Sequence, residues 1–453
     1  MAKIVLVGAG GVIFSQNFMK DFLMSEHLTD STLTLMDIDR ERLANAEKIF
    51  HMLAAELNCP TRRMEATTDL EKALNGADFV LTIFRSGTLE HQRIEYEIPA
   101  AYGVKLVVGD SMGPGGIFRG LRTLKDLFNV LNTMERVCPG AVLLNYVNPM
   151  SMNTIALSRC ARTVKVYGLC HSVQSLRSTL AQYLNVPADE LEYFAAGVNH
   201  LAFALKLSHR GRDLYPELRK LIDDPGIYHQ QKVQFEILRH FGYYPTEGSG
   251  HNSEYLPFFR KREDLLKKFC SVTWELPDDD IKWSAVQSGE PGASVECCRL
   301  LQIRNEKNIA MYLNGTKKFD LKRSHEYGMQ IIEAILANKL FQANLNVMNH
   351  GLIPNLPAHA AVEVPCLIDG SGIHPCQIPD FPEHLAALDR NMTGAQILAA
   401  QGAVSGKRED IFHALAADPL TAAVLSLDEI KEMCGKMFDS LADQIDDRFQ
   451  KND

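Results

Sequence analysis

The stretch Lys3-Ile4-Val5-Leu6-Val7-Gly8-Ala9-Gly10-Gly11 decides how the rest of the chain is read. A short run, apolar after Lys3, gives way to glycines just where a helical pattern begins. A run without polar alternation reads as a parallel strand covered by helices on both faces. The glycines let the backbone turn tightly and approach a pyrophosphate seated on the next helix's N-terminus. Ile13 stands where the third glycine of GxGxxG would be. Asp37 ends the next apolar run, Thr32–Met36, where a carboxylate can accept hydrogen bonds from an adenosine ribose diol. That favours NAD over NADP, with Asp39 and Arg40 nearby keeping NADP open. The plain alternative is a tight strand-to-helix turn that holds no cofactor.

Working outward, Phe79–Phe84, Lys105–Val108, Val142–Tyr146 and Val164–Leu169 read as further strands. Asp39–Leu57 and Phe118–Arg136 carry apolar residues at three- and four-residue spacing, as amphipathic helices do. This alternation predicts an α/β fold whose N-terminal part is a Rossmann-like doubly wound sheet of the lactate/malate dehydrogenase kind. Beyond Ala195 the rhythm weakens. Gly197–Leu207 reads as a strand, Gly226–Phe241 and Ser324–Lys339 as helices, and Lys261–Val295 as a surface excursion or subunit contact. Asn355–Pro382 holds short extended runs, and Thr393–Phe449 is helical by pattern. The expected organisation is a dinucleotide-binding domain over 1–195 and a C-terminal mixed α/β substrate and metal domain over 196–453, intimately packed.

The 453 residues are 46% hydrophobic and 23% charged, with a formal net charge of −9. Such a chain folds with a sizeable core, and its mild acidity without basic blocks argues against nucleic acid or an anionic membrane as partner. No apolar run reaches the roughly 18 residues of a membrane span. The N-terminal stretch lacks the plan of a secretory signal. Ten scattered cysteines without a CxxC pair suit reduced thiols in the cytoplasm.

Four later segments carry chemistry. Gly109–Gly116 is a second glycine-rich loop, in which Asp110 is a candidate for substrate hydroxyls and the following Arg119 for an anion or a structural contact. Asn145-Tyr146-Val147-Asn148-Pro149 ends a strand, and an Asn before Pro is kept extended, so Asn148 can point into the ligand crevice. Gly168-Leu169-Cys170-His171-Ser172 and Gly197-Val198-Asn199-His200 offer a thiolate and an imidazole. Brought together, these suit a borderline divalent metal with open positions for substrate oxygens. Buried structural roles for the same Cys and His are the competing reading.

Together, GAGGVIFSQNF, LMDID, GDSMGPGGIFRGLRT, LLNYVNPMSMNT, GLCHSVQ, AGVNHLAF, NVMNHGLIPNLP, VEVPCLID and GIHP resemble glycoside hydrolase family four. These are the NAD- and metal-dependent glycosidases, and the CHSVQ and NYVNPM forms are similar to the α-galactosidase branch. The resemblance implies that Cys170 and His200 bind a divalent metal, usually Mn2+, and that Gly8, Gly10, Gly11, Phe14 and Asp37 hold NAD. It places Asn148 at the substrate, with Asn199 framing the same pocket; Arg119, just after the second glycine-rich loop, is taken as a further substrate contact, and Asp110, His171 and Tyr255 as the catalytic candidates. The implied reaction departs from the two-carboxylate scheme of most glycosidases. Hydride passes from sugar C3 to NAD, the C2 proton is lost, the C1 substituent leaves by elimination, water adds at C1 and the hydride returns.

Relatives place an Asp or Tyr base in the loop matching Pro245–Tyr255, where this chain offers Glu247, His251, Glu254 and Tyr255. His171 stands where phosphoglycoside-cleaving relatives carry Asp or Asn, which favours an unphosphorylated α-glycoside. Arg85, near a position where those relatives carry arginine, leaves that distinction open. His171 is read as a leaving-group acid or an orienting neighbour. α-Glucosidase and α-galacturonidase are the alternatives within the family, and a homodimer or homotetramer is implied. An NAD-dependent 2-hydroxyacid dehydrogenase is the reading from a different class; it would leave Cys170 and His200 unused. A non-catalytic NAD sensor ranks after it.

Overall fold

The computed structural model describes residues 1–276 and 278–450. Among these, nine strands form one sheet in the order β12-β11-β10-β6-β5-β4-β1-β2-β3. The parallel part consists of β1 (Lys3–Val7), β2 (Thr32–Met36), β3 (Arg63–Thr67), β4 (Phe79–Thr82), β5 (Val142–Asn145) and β6 (Lys165–Gly168). Its order, 3-2-1-4-5-6, reverses between β1 and β4, and ligand crevices of doubly wound sheets open at that reversal. A separate antiparallel sheet joins β7 (Leu191–Ala196), β8 (Phe203–His209) and β9 (Arg212–Asp213).

The C-terminal half completes the main sheet. β10 (Phe341–Met348), β11 (Ala361–Asp369) and β12 (Gly372–Pro375) add antiparallel strands beyond β6. The ladder crosses between the halves where Asn346 pairs with Gly168. Alternation along β1 shows why its run is apolar on both faces. Ile4 and Leu6 belong to a core with Phe18, Phe22 and Leu33, while Val5 and Val7 face Val80, Leu121 and Leu143. Across the second layer, the fully buried Arg122 in helix Gly113–Val137 makes two bonds to Glu95 in helix Leu89–Ala101, at 2.6 and 3.1 Å.

Several expectations are corrected. Lys105–Val108 is not a strand: its backbone is bound by side chains and by other loops, as described below. The helix expected over Gly226–Phe241 is two, Pro225–Tyr228 and Lys232–Phe241, because Gln231 leaves helical geometry (φ −143°) and caps the second. Lys261–Val295 contains two short helices, Glu263–Phe269 and Trp283–Ser288, separated by a stretch that includes residue 277, outside the described residues. The helix Ala293–Leu313 was not anticipated. Only Ser294, Cys297 and Tyr312 of its 21 residues are buried, so it has no continuous apolar stripe to betray it. β3 also escaped notice, being a mostly polar edge strand.

Candidate active site

The first turn of the chain builds a cradle. Gly8 has φ +96°, and a Cβ there would fall 2.5–2.7 Å from Phe84, so no other residue fits without displacing that neighbour. The N–H groups of Gly8 and Ala9 both donate to the Met36 carbonyl. Gly10 N–H donates to Asp37 Oδ2 at 2.8 Å, which ties the glycine turn to the end of β2. Helix Val12–Met24 begins at the exposed Gly11 without a side-chain cap or an acidic residue in its first turn. Its N–H groups and positive dipole end are thereby left for an anion. Gly8, Gly10, Gly11 and Asp37 thus fit a dinucleotide. Phe14, in the first helical turn, reaches across to His171 with ring centroids 5.8 Å apart.

The second constellation is made at the crossing of the two halves. Cys170, just beyond β6, is buried, and both its backbone groups are held by Tyr327: Cys170 N–H to Tyr327 Oη at 2.8 Å, and Tyr327 O–H to Cys170 O at 2.9 Å. His200 closes the turn after β7 in a left-handed conformation, φ +64°. Its carbonyl accepts from Asn252 Nδ2 at 2.9 Å, and its Nδ1 lies 3.3 Å from Ser111 Oγ. One ligand atom each from Cys170, His200 and Glu247 lies within 4.8 Å of the others. Burial pushes the Cys170 thiol far above its ordinary range, and the Glu363 and Glu247 carboxylates push the same way. A thiolate and carboxylates crowded around one imidazole repel one another unless a cation sits among them. Sulfur, nitrogen and oxygen donors together suit a borderline divalent ion, so the donor set fits a metal.

Asp110 lies beside this cluster. It accepts from Asn148 Nδ2 at 3.0 Å and from Ser111 Oγ at 2.7 Å. Burial opposes its ionisation, but electrostatic attraction to His251, Arg119 and His200, with the Ser111 hydrogen bond, outweighs burial and holds the carboxyl well below the usual range. Asp110, His200 and His251 form a second close group, in which His251 Nδ1 is 3.9 Å from Asp110 Oδ1. Arg119, half-buried in the helix that follows the loop, contributes charge toward Asp110. Asn199 is buried and donates to Glu363 Oε2 at 3.1 Å.

Tyr255 ends helix Ser249–Tyr255 beneath the same site, fully buried, its ring 6.3 Å from that of His200. Burial holds the phenol well above its usual range, the Asp110 charge adds to this, and a hydrogen bond with Ser111 works against it. His171 is half-exposed, with its Nδ1 3.5 Å from the buried Glu326 carboxylate. Burial and the Asp21 charge push Glu326 up to about 7.

The expected site residues thus fall into two groups, the glycine turn with Asp37 and the cluster around Cys170, His200 and Asp110, which meet where Phe14 touches His171. What sequence reasoning did not single out is the acidic and phenolic framework that holds them: Glu363, Glu326 and Tyr327. A lone carboxylate inside the apolar run Ala361–Asp369 was the available signal for Glu363.

Comparison with known proteins agrees with this geometry. The model of Family 4 glycosyl hydrolase matches residues 3–186, and that of the Family 4 glycosyl hydrolase C-terminal domain matches residues 195–421. An alpha-galactosidase of Bacillus subtilis (strain 168) is 37% identical over 449 residues, covering 98% of this chain and 99% of that protein. An alpha-galactosidase of Rhizobium meliloti (strain 1021) is 32% identical, covering 96% and 87%. Among solved structures, putative glucosidase lplD from Bacillus subtilis superposes with a TM-score of 0.84 at 24% identity, covering 96% and 99%. The 6-phospho-beta glucosidase from Thermotoga maritima, determined with manganese, NAD+ and glucose-6-phosphate, superposes with a TM-score of 0.77 at 17% identity, covering 98% and 99%. The glycine cradle, the Cys170–His200 cluster and the match of both family models over most of the chain lead to one conclusion: this chain belongs to family 4 of the glycosyl hydrolases.

Proposed function

We propose that this chain is an α-galactosidase that uses NAD and a divalent metal, with Mn2+ the first choice, and works in a reducing, cytoplasmic setting. The observation that carries the reading is that the helix of the dinucleotide cradle abuts the segment that carries a metal donor. Phe14 of the cradle's helix packs on His171, the residue next to Cys170. Galactose is the preferred sugar because the relatives at 37% and 32% identity are alpha-galactosidases, while an alpha-glucosidase of Erwinia rhapontici is 30% identical.

When bound, the two cofactors would supply a hydride acceptor for C3 and a Lewis acid for the neighbouring oxygens. The side chains do the rest. Cys170, His200 and Glu247 hold the cation; Asp110, fixed by Ser111 and Asn148, accepts from sugar hydroxyls. Tyr255 Oη is the group assigned to take the C2 proton, a role that requires the bound cation to offset the burial that otherwise holds the phenol high, and the half-exposed His171 is assigned to give a proton to the leaving oxygen. Asn199 and Arg119 frame the pocket. A homodimer or homotetramer is proposed for the assembly, to be read by light scattering. Among the described residues no helix is long and apolar enough to cross a membrane.

The test is release of nitrophenol from α- and β-linked nitrophenyl galactosides and glucosides, with NAD, Mn2+ and a thiol present and then omitted singly. Cleavage of the α-galactoside that requires both cofactors is expected. Cleavage surviving complete removal of NAD would overturn the mechanism; strict dependence with another preferred sugar would move only the specificity.

A further inference from the structure

The Gly197–His200 turn is poorly able to hold its own shape. His200 sits at φ +64°, a region that costs a non-glycine residue on the order of 1 kcal/mol. Gly197 is held at φ +146°, where a Cβ would lie 2.7 Å from Ala202 Cα. Within the turn, one backbone bond closes it, Leu201 N–H to Val198 O at 3.0 Å. Something outside must define the turn.

Glu363 supplies three bonds to it. Its N–H donates to Gly197 O at 2.8 Å and its carbonyl accepts from Gly197 N–H at 3.2 Å. Its carboxylate accepts from Asn199 Nδ2 at 3.1 Å. The neighbouring strand β10 serves the other donor: Tyr327, which grips both backbone groups of Cys170, also lies 3.3 Å from Asn344 O. Both donors are thereby referred to one antiparallel pair of strands, in which Glu363 stands opposite Asn346.

The choice of residue is costly if packing were its only purpose. Glu363 is fully buried, its second oxygen Oε1 has no partner among the described residues, and an apolar side chain would fill the strand position without that desolvation cost.

We infer that Glu363 is a positioning residue: its main chain pins Gly197, as any residue there would, and its carboxylate alone fixes Asn199, so that the His200 imidazole is presented to a divalent cation together with Cys170. The inference rests on the proposed cation site and adds the residue that shapes it. Metal-ligand geometry depends on such supporting bonds, and their loss typically costs about 10- to 100-fold in metal affinity.

The experiment uses the full-length protein without substrate. Mn2+ binding is followed by the electron paramagnetic resonance signal of the free ion, NAD binding by fluorescence, and folding by thermal unfolding without metal. Glu363→Ala is expected to weaken Mn2+ binding by about 10- to 100-fold with NAD affinity unchanged. Glu363→Gln keeps an acceptor for Asn199 and is expected to restore most of the affinity. Asn199→Ala should lose as much as Glu363→Ala, and the double variant no more than either, since both remove one bond.

Wild-type Mn2+ affinity in a folded Glu363→Ala protein overturns the inference. So does parallel loss of Mn2+ and NAD binding in both the Ala and Gln variants, or additive losses in the double variant. Should Glu363→Ala fail to fold, Asn199→Ala and Glu363→Gln decide. A loss in the first and retention in the second support the inference; any other pair overturns it. Cys170→Ala is the control. Mn2+ binding that survives it sinks the cation site and this inference together. Binding lost there but kept in Glu363→Ala sinks the positioning role alone.

Discussion

Glu254 Oε1 accepts the N–H of Val107 at 2.6 Å, and the same oxygen takes the N–H of Val108 at 2.9 Å and of Gly109 at 3.2 Å. The carbonyls are used as well: Lys105 O accepts from Arg260 Nε, Leu106 O from Gly292 N–H and Val107 O from Ser294 N–H. Three N–H groups and three carbonyls that a sheet ladder would otherwise take up are satisfied in this way, and the segment enters Gly109-Asp110 as a loop. Glu254→Ala would leave one buried and two half-buried donors unpaired, a loss of about 2–4 kcal/mol in unfolding free energy by urea titration. Because Asp110 follows directly, KM for the glycoside should rise as well. Glu254→Gln keeps one acceptor oxygen and should lose less on both counts.

Removing one donor of the proposed cation site separates binding from folding. Cys170→Ala takes away the sulfur while the two Tyr327 bonds to the residue's backbone remain. Turnover of the nitrophenyl α-galactoside should fall by more than about 100-fold, the scale for losing a fixed charge at a developing oxyanion. NAD affinity and the unfolding midpoint should hold. A variant that keeps Mn2+-dependent turnover would rule out Cys170 as a donor.

Asp37 and Gly10 form one unit. A Cβ on Gly10 would fall 2.7 Å from Asp37 Oδ2, so Gly10→Ala must break their hydrogen bond or move β2's end. Either Gly10→Ala or Asp37→Ala is expected to weaken NAD binding by about 10- to 100-fold, the worth of a hydrogen bond to a charged group. Mn2+ affinity should be untouched, which fluorescence and magnetic resonance titrations on the same preparation would check.

Glu326 predicts a pH dependence of stability. Its buried carboxyl is raised from 4.5 to about 7, first by burial and then by the Asp21 charge. The folded protein therefore keeps a proton that the unfolded chain gives up. The contribution to stability is fully present below pH 4.5 and is lost as pH rises through about 7. The loss amounts to about 3 kcal/mol. Glu326→Gln cannot ionise, so it should gain stability relative to the native chain at pH 8 and gain little at pH 4.5. Equal differences at both pH values would count against a neutral Glu326.

The buried pair Arg122–Glu95 should be intolerant of one-sided change. Arg122→Met leaves the Glu95 carboxylate, 2% exposed, without its partner, at a cost of about 3–5 kcal/mol. Replacing both residues by apolar ones should recover much of that loss, as read by thermal unfolding of the single and double variants.

The residues by themselves determined what short-range physics controls. β1 stands where its run, apolar after Lys3, placed it, because a strand covered on both faces buries residues that point both ways, and β2 stands at Thr32–Met36 as expected, with Thr34 buried among its apolar neighbours. The glycine turn and Asp37 were legible because a close backbone approach admits no side chain there. Cys170 and His200 were visible as donor types, and the resemblance carried by their motifs paired them. Tertiary structure alone decided which side chains support them. The bonds from Asn199 to Glu363, from Cys170 to Tyr327 and from Val107 to Glu254 span 164, 157 and 147 residues. No local pattern encodes such distances. A carboxylate in a strand or a tyrosine beside a helix reads the same whether it faces solvent, core or a metal ligand. Only the chain's return through the start of helix Gly328–Ala337 and through β11 brought Tyr327 and Glu363 to the site, since a buried polar group acquires its role from the partner that the fold brings to it.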